Sequence, residues 1–519
     1  MKNMKMNTLT ALILATIPAS SVFAAALDRS GQSIAPFFES GNYAEIGGSF
    51  LAPDVSGKDK NGTPVPDMSD RYEFWNAALK LQPTEMLSLG LIFDEPFGGA
   101  ATFKGKNAFT SNGTFGIDGG TAVDVQTKNI TALVGVKPVT GLTVFGGAAY
   151  QEVEGKIDLR GSTYSAFNGY SADVNKDGAF GWVAGAAYEI PDIALKASIT
   201  YRSEIEHQAS VREAFKFANL LAATTAGVGQ ADAGLAQINA GLAQITGGLL
   251  QVNDGLVQVN GGLVQVNAGL AQDPQNAQLL EQKTQLTAQL NQLTTTQAQL
   301  TATQTGLTAK KAQVTATKIG LLQNEALLGV LNASVASSAD TTAEVTTPQS
   351  VNIDLQSGIM ANTIAFANIR WVDWSNFSIR PTNFGKASVI ASSALTGGAY
   401  TKGFNLVDYS DDQWTVTAGI GRKLSDQLSA LVSVGWDSGA GNPVTILGPT
   451  EGYWSVGLGL RYSPTPKIDF SAGVKYFWLG DAEVQTGLHS VPGHTAASYA
   501  GDFSDNEAVA FGLKMGYHF

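Results

Sequence analysis

Asn506 to Phe519 reads NEAVAFGLKMGYHF, and this stretch decides the fold. Counting back by twos from Phe519 gives Tyr517, Met515, Leu513, Phe511 and Val509, all apolar. The intervening positions are His518, Gly516, Lys514, Gly512 and Ala510. Side chains alternate across a strand, so one face is oily and the other small or polar. A chain that stops on such a strand is expected to be a membrane barrel. Phe511, Tyr517 and Phe519 then mark the terminal strand that barrel-assembly machinery handles during biogenesis.

The other end agrees. Lys2 and Lys5 precede an apolar run from Leu9 to Ile17, followed by Ala24, Ala25 and Ala26. This predicts a signal peptide over 1–24, too short to span a bilayer as a helix. No later run of eighteen apolar residues exists, which excludes a helical inner-membrane protein. Charged residues make up 15% of the chain and glycine contributes 58 residues, as fits strands with lipid on one face and a polar lumen on the other. Cysteine is absent and there are four scattered histidines, so neither disulfides nor a metal site is expected. A net charge of −12 argues against a nucleic-acid partner.

Between these ends the chain repeats a strand of about ten residues, a tight turn, a return strand and a longer loop. Short turns fall at Gln82–Glu85, Val136–Gly141, Ile190–Ile193, Ala361–Thr363, Leu424–Gln427 and Ser463–Lys467. Six turns, with one opening and one closing strand, give an all-β fold: a transmembrane antiparallel barrel of about 14 strands. The expected division is a short plug over 25–42, strands one to seven over 43–212, a long loop over 213–348 and strands eight to fourteen over 349–519. Trp75, Trp182, Trp371, Trp414, Trp436, Trp454 and Trp478 are placed to seat aromatic girdles.

Several pieces resemble the long-chain fatty-acid transporter (FadL/TodX-type) family of outer-membrane proteins. They are Leu91-Ile-Phe-Asp-Glu-Pro-Phe-Gly-Gly99, Phe180-Gly-Trp-Val-Ala-Gly185, Thr200-Tyr-Arg-Ser-Glu204, Trp371-Val-Asp-Trp-Ser-Asn-Phe377 and Trp436-Asp-Ser438. The resemblance implies a fourteen-stranded barrel with an amino-terminal plug, localised in the bacterial outer membrane with long loops extracellular. It further implies passive uptake of a hydrophobic small molecule through a gap at a kinked third strand. A local reason for the kink is present: Pro96 cannot donate to the ladder, and Gly98 and Gly99 tolerate unusual backbone angles. The family's Asn-Pro-Ala plug element is missing, and the plug here is short, with Asp28, Arg29, Ser30, Phe37 and Phe38 as its available side chains.

Alternation along the seventh strand sends Leu195, Ala197, Ile199 and Tyr201 to lipid and Lys196, Ser198, Thr200, Arg202 and Glu204 inward. A buried cation must find an anion. Arg202, Arg370 and Lys475 are therefore candidate anchors for a ligand carboxylate. The competing role is pairing with Glu204, Glu206, Asp354 or Asp373. Phe93, Phe97, Phe366 and Phe377 are candidate ligand-lining residues. No catalytic constellation stands out, so no enzyme and no cofactor are expected.

From about Arg212 to Val335 the composition shifts to Gln, Leu, Ala, Thr and Asn. Leucine recurs every seven residues from Leu235 to Leu270, with Ile or Val three positions later from Ile238 to Val266. Asp273-Pro274 interrupts the series and a second one runs from Leu279 to Leu328. This predicts an antiparallel coiled-coil hairpin inserted in the loop, with a flexible low-complexity segment as the competing reading; a surface spike that contacts a neighbour, a surface partner or polysaccharide is the hypothesis for its role. The alternative function is a surface adhesin whose barrel anchors this hairpin.

Overall fold

A computed structural model describes residues 27–519; the expected signal peptide over 1–24 lies outside the described residues. Fourteen strands form one closed antiparallel barrel. Its first half is β1 (Tyr43–Asp54), β2 (Tyr72–Thr84), β3 (Leu87–Asp94 and Gly98–Thr102), β4 (Ala122–Val139), β5 (Leu142–Leu159), β6 (Tyr170–Ile190) and β7 (Leu195–Arg202 and Ile205–Ala214). The second half is β8 (Ser338–Thr347 and Ser350–Met360), β9 (Thr363–Val372), β10 (Gln413–Lys423), β11 (Leu428–Asp437), β12 (Tyr453–Thr465), β13 (Ile468–Leu479) and β14 (Glu507–His518). Closure comes from the terminal strand. Tyr43 of β1 lies opposite His518 of β14, and Asp54 opposite Glu507.

The sidedness follows the alternation. Phe511, Leu513, Met515, Tyr517 and Phe519 are all exposed on the outer wall, as are Leu89, Leu91, Val134, Ile199, Val432 and Leu458. Such a belt is stable only against lipid, because water would bear the full cost of hydrating it. Trp436, Trp454 and Trp478 sit directly opposite one another on β11, β12 and β13, and Trp371 opposite Trp414 on β9 and β10. They are level with one another because the strands are in register. No helix among the described residues is long and apolar enough to cross a membrane.

Two strands change phase. β7 breaks at Ser203-Glu204, where the Ser203 N–H donates to the Trp182 carbonyl at 3.0 Å and its Oγ accepts from the Trp182 N–H at 2.9 Å. Before the break the even-numbered Ser198, Thr200 and Arg202 are buried; after it the odd-numbered Ile205, His207, Ala209 and Val211 are. One residue added to a strand exchanges its faces. Glu204 is consequently exposed rather than inward as alternation predicted. β8 breaks beside it and starts at Ser338, so residues 338–347, expected in the loop, extend the wall opposite 205–214.

At the end with long connections, segments Gly57–Asp59, Pro64–Val65, Val444–Thr445, Ala482–Gln485 and Tyr499–Phe503 form a small sheet. The helix Thr382–Leu395 starts on the buried Glu213 carboxylate, which accepts from the Asn383 and Phe384 N–H groups at 2.8 and 2.7 Å. An acid at a helix start satisfies orphan donors and the dipole together.

The inserted segment, residues 218–330, is a separate compact unit. It consists of helices α1 (Phe217–Gln272) and α2 (Ala277–Ser334), with α3 (Thr382–Leu395) following later in the chain. Glycine sets its register. Gly227, Gly241, Gly248, Gly255, Gly262 and Gly269 each face one leucine of α2, respectively Leu321, Leu307, Leu300, Leu293, Leu286 and Leu279. Gly234 falls opposite Val314 in this progression and has open space. The shorter valine does not reach.

Glycine in a helix interior costs about 1 kcal/mol relative to alanine, and the hairpin accepts that cost where a leucine needs the room. Gly234→Ala should therefore stabilise the hairpin by about that amount. Gly269→Ala should gain less or lose, because its Cβ would lie 2.9 Å from Leu279 Cδ1. Amide hydrogen exchange across α1 separates the two outcomes.

Candidate functional site

β3 is interrupted at Glu95-Pro96-Phe97. Its ladder with β2 ends at Ala77 opposite Phe93; the segment Gly98–Thr102 pairs with β4 on one side, and on the other its Thr102 N–H donates to the Met68 carbonyl at 2.7 Å and Ala101 bridges Ser69, ahead of β2. Between Ala77 and Asp70 the wall is therefore open toward β3, and it closes again where the Asp70 N–H donates to the Ala100 carbonyl at 3.3 Å. Glu95 turns its carboxylate to the Trp75 N–H and replaces one lost ladder bond. A polar cleft of about 430 Å³ lies here, lined by Tyr72, Glu73, Glu95, Thr102 and Asp124 among others.

The plug closes this gap from within. The Arg29 N–H donates to the Pro96 carbonyl at 2.7 Å, and the Gly98 N–H to the Leu27 carbonyl at 2.8 Å. Asp28 and Phe97 form a bridge. Backbone groups that Pro96 and the break leave unpaired are thus taken up by the plug. The Arg29 guanidinium rests 4.2 Å from the centre of the Tyr72 ring. It runs across Gly98 so closely that a Cβ there would be 2.5 Å from Arg29 Cζ. Only glycine lets it pass.

Behind the gap the plug is fixed to the far wall. Asp28 Oδ2 accepts from Arg370 Nε at 2.6 Å, with both side chains under 5% exposed. The same guanidinium donates to Asn352 Oδ1 at 2.8 Å and to Gln32 Oε1 at 3.1 Å. Arg202 donates to Thr131 Oγ1 at 3.1 Å and to the Gln32 carbonyl at 3.2 Å. Gln32 presents its carbonyl and side chain to both arginines from a left-handed turn, with Gly31 at φ 61° and Gln32 at φ 51°. Farther along, the 3₁₀ turn Ala35–Phe38 packs Phe37 and Phe38 on Phe145 at centroid distances of 5.9 and 5.5 Å. The Lys80 ammonium donates to the Glu39 carbonyl.

Of the three candidate anchors, Arg370 is thus engaged by a carboxylate, though that of Asp28 rather than Asp354 or Asp373 as the sequence suggested. Arg202 has neutral partners among the described residues. Lys475 is 3% exposed and lies over the rings of Tyr453 and Phe477 at 5.6 and 4.9 Å. No carboxylate lies within ion-pair distance of it among the described residues, and Asp437 is the acid that acts on its charge.

Of the four candidate lining residues, two come together. Phe97 and Phe377 flank Trp374, at centroid distances of 5.5 and 5.1 Å. With Leu27, Val153 and Val345 they line an apolar cavity of about 30 Å³. Phe93 is on the lipid side with Leu89 and Leu91, since Ile92 and Asp94 are the inward pair. Phe366 does face inward but toward the short-turn end, beside Ile364 and Leu431. Trp374 was not among the candidates, although it lies four residues after the inward Arg370 and shares its parity.

No protein-family model matches the sequence, and no curated protein matches it. Solved structures do. A Pseudomonas aeruginosa FadL homologue superposes with a TM-score of 0.56 at 12% identity, covering 97% of this chain and 99% of that one. The P. putida toluene transporter TodX gives 0.50 at 10% identity over 93% and 91%. The chain has the FadL/TodX-type fold. A TodX mutant described as a monoaromatic hydrocarbon channel gives 0.52 at 10% identity over 96% and 99%. Each match runs over nearly the full length of both chains.

Proposed function

We propose that this protein carries hydrophobic small molecules across the bacterial outer membrane, with its long loops outside, and that long-chain fatty acids are its substrate class. The observation that supports this most is the Asp28–Arg370 pair next to the apolar cavity. A luminal guanidinium already holds a carboxylate there, and Leu27, adjoining that carboxylate, forms part of the cavity wall. At about 30 Å³ the cavity is an order of magnitude below the 300 Å³ or more of a ligand pocket. An acyl chain enters only as Leu27 leaves. A ligand carboxylate competing for Arg370 releases Asp28, and with it the plug residues across the gap at β3. The named ligands of the superposed structures, toluene and monoaromatic hydrocarbons, are apolar as well, which agrees with the oily half of this site.

Lys475 is the second cation for such a headgroup. Replacing it by methionine keeps its length and removes its charge. Uptake of oleate should fall several-fold in Lys475→Met, whereas uptake of methyl oleate should not change. Equal loss for both would make Lys475 a packing residue.

The test of the function is uptake of radiolabelled oleate by cells lacking their own transporter. Restoration by the intact protein supports the fatty-acid reading. No restoration with folded protein in the outer membrane overturns it, and toluene uptake by the same cells then decides whether a neutral hydrocarbon is the cargo.

A further inference from the structure

α1 carries two apolar faces, and α2 covers one. The covered face consists of the glycine column that receives the α2 leucines and the buried Ile238, Ile245, Val252, Val259 and Val266. On the opposite side, Leu250, Val257 and Val264 recur at the same seven-residue spacing and are 62%, 72% and 70% exposed. Ala236, Ala243 and Ala271 continue this column at either end and are exposed too. The outer column has small-residue neighbours three positions earlier in every repeat but that of Val257, where Asp254 stands. Two of them, Gly247 and Gly261, have nothing within 4 Å of a built Cβ. Side chains four and three apart on a helix are adjacent. The outer face thus repeats the pairing of aliphatic and small columns by which the inner face accepts a helix.

We infer that this outer face of α1 docks on the same face of α1 in a second copy of the chain. Charge argues for a like partner. From Ala233 to Gln272 a single residue, Asp254, is charged. An acidic or basic protein, or a charged polysaccharide, therefore finds no counter-charge along this face, whereas a neutral face is complementary to itself. Area argues the same way. A strip of roughly 14 Å by 50 Å along the helix buries on the order of 700 Å² per copy, near the standard size of a stable specific interface. The contact is isologous, with its two-fold axis beside Val257. Antiparallel packing sets Leu250 against Val264 of the second copy. It also separates the two Asp254 carboxylates by about 9 Å along the axis, where a parallel pair would juxtapose them.

The chain contains no cysteine, so a single introduced thiol reports the contact. Full-length protein in detergent micelles should have the protein mass of a dimer by light scattering. Val257→Cys under mild oxidation should give a cross-linked dimer, and Thr303→Cys, exposed on α2, should not. Leu250→Asp combined with Val257→Asp and Val264→Asp should weaken association at least tenfold while helicity by circular dichroism is retained, because none of the three belongs to the seam with α2. A monomeric parent protein overturns the inference and leaves the face to a different molecule. So does equal cross-linking at position 303, or a triple variant that stays dimeric, which would place the contact on the barrel. Oleate uptake is unaffected by any of these results.

Discussion

Asp28→Ala is expected to turn a closed barrel into a conducting one. The substitution removes the carboxylate that Arg370 Nε holds at 2.6 Å and leaves the guanidinium buried. Removing one partner of a buried ion pair costs about 3–5 kcal/mol, mostly because the remaining charge is uncompensated. Asn352 and Gln32 still accept from Arg370, which keeps the loss at the lower end of that range. The plug is bound at other points near its start. Its remaining ties there are the backbone bonds to Pro96 and Gly98, the Arg29–Tyr72 stack, and neutral or singly charged hydrogen bonds from Ser30 to Asp94, from Asn352 to the Gly31 carbonyl and from Arg202 and Ser350 to Gln32. A loss of about 3 kcal/mol is a factor of more than a hundred in the ratio of seated to released plug.

In planar bilayers the parent protein should therefore conduct rarely and Asp28→Ala steadily. The Arg370→Ala variant should resemble it, and the double variant should add little, as expected for two groups that act through each other. Additive effects would show that the pair does not anchor the plug. Unchanged conductance in Asp28→Ala would remove the ion pair from the gating scheme altogether.

The parts of this arrangement that depend on local chemistry were readable from the residues. Alternation in the terminal strand, six short turns and the Pro96-Gly98-Gly99 cluster anticipate the closed fourteen-stranded barrel and the break in β3. Both are consequences of which residue follows which. What was not readable is long-range. Asp28 and Arg370 are 342 positions apart, and nothing along the chain says that the plug's acid, rather than a wall residue, meets that arginine. Phe93 follows the alternation of Leu89 and Leu91 to the lipid side, and Glu204 failed for another reason. It sits in a strand interruption, where an alternation count no longer tells inside from outside. The hairpin shows the same division. Its heptads are plain in sequence, whereas the pairing of each glycine with one leucine depends on the register in which the two helices fold back.

Gly98→Val tests the gap itself. The new Cβ would lie 2.5 Å from Arg29 Cζ and 2.5 Å from the Val125 carbonyl oxygen, and valine adds two methyl groups beyond it. The Val125 carbonyl belongs to the β4 ladder and cannot retreat, so Arg29 must give way. A branched side chain then fills the opening between Tyr72 and Thr102 that the guanidinium had occupied. Two consequences follow, and they oppose each other in a useful manner. Loss of the Arg29–Tyr72 stack, about 0.5–2 kcal/mol, loosens the plug, so a route straight through the lumen would be faster. Obstruction of the wall makes a sideways route slower. If cargo leaves through the broken third strand, oleate uptake should fall at least tenfold in Gly98→Val, with folded barrel verified by its heat-modifiable mobility on gels. Arg29→Ala, which opens the same space without filling it, should keep or raise uptake. If Gly98→Val instead matches Arg29→Ala, the gap is only a seam in the wall, and cargo passes down the lumen behind Asp28.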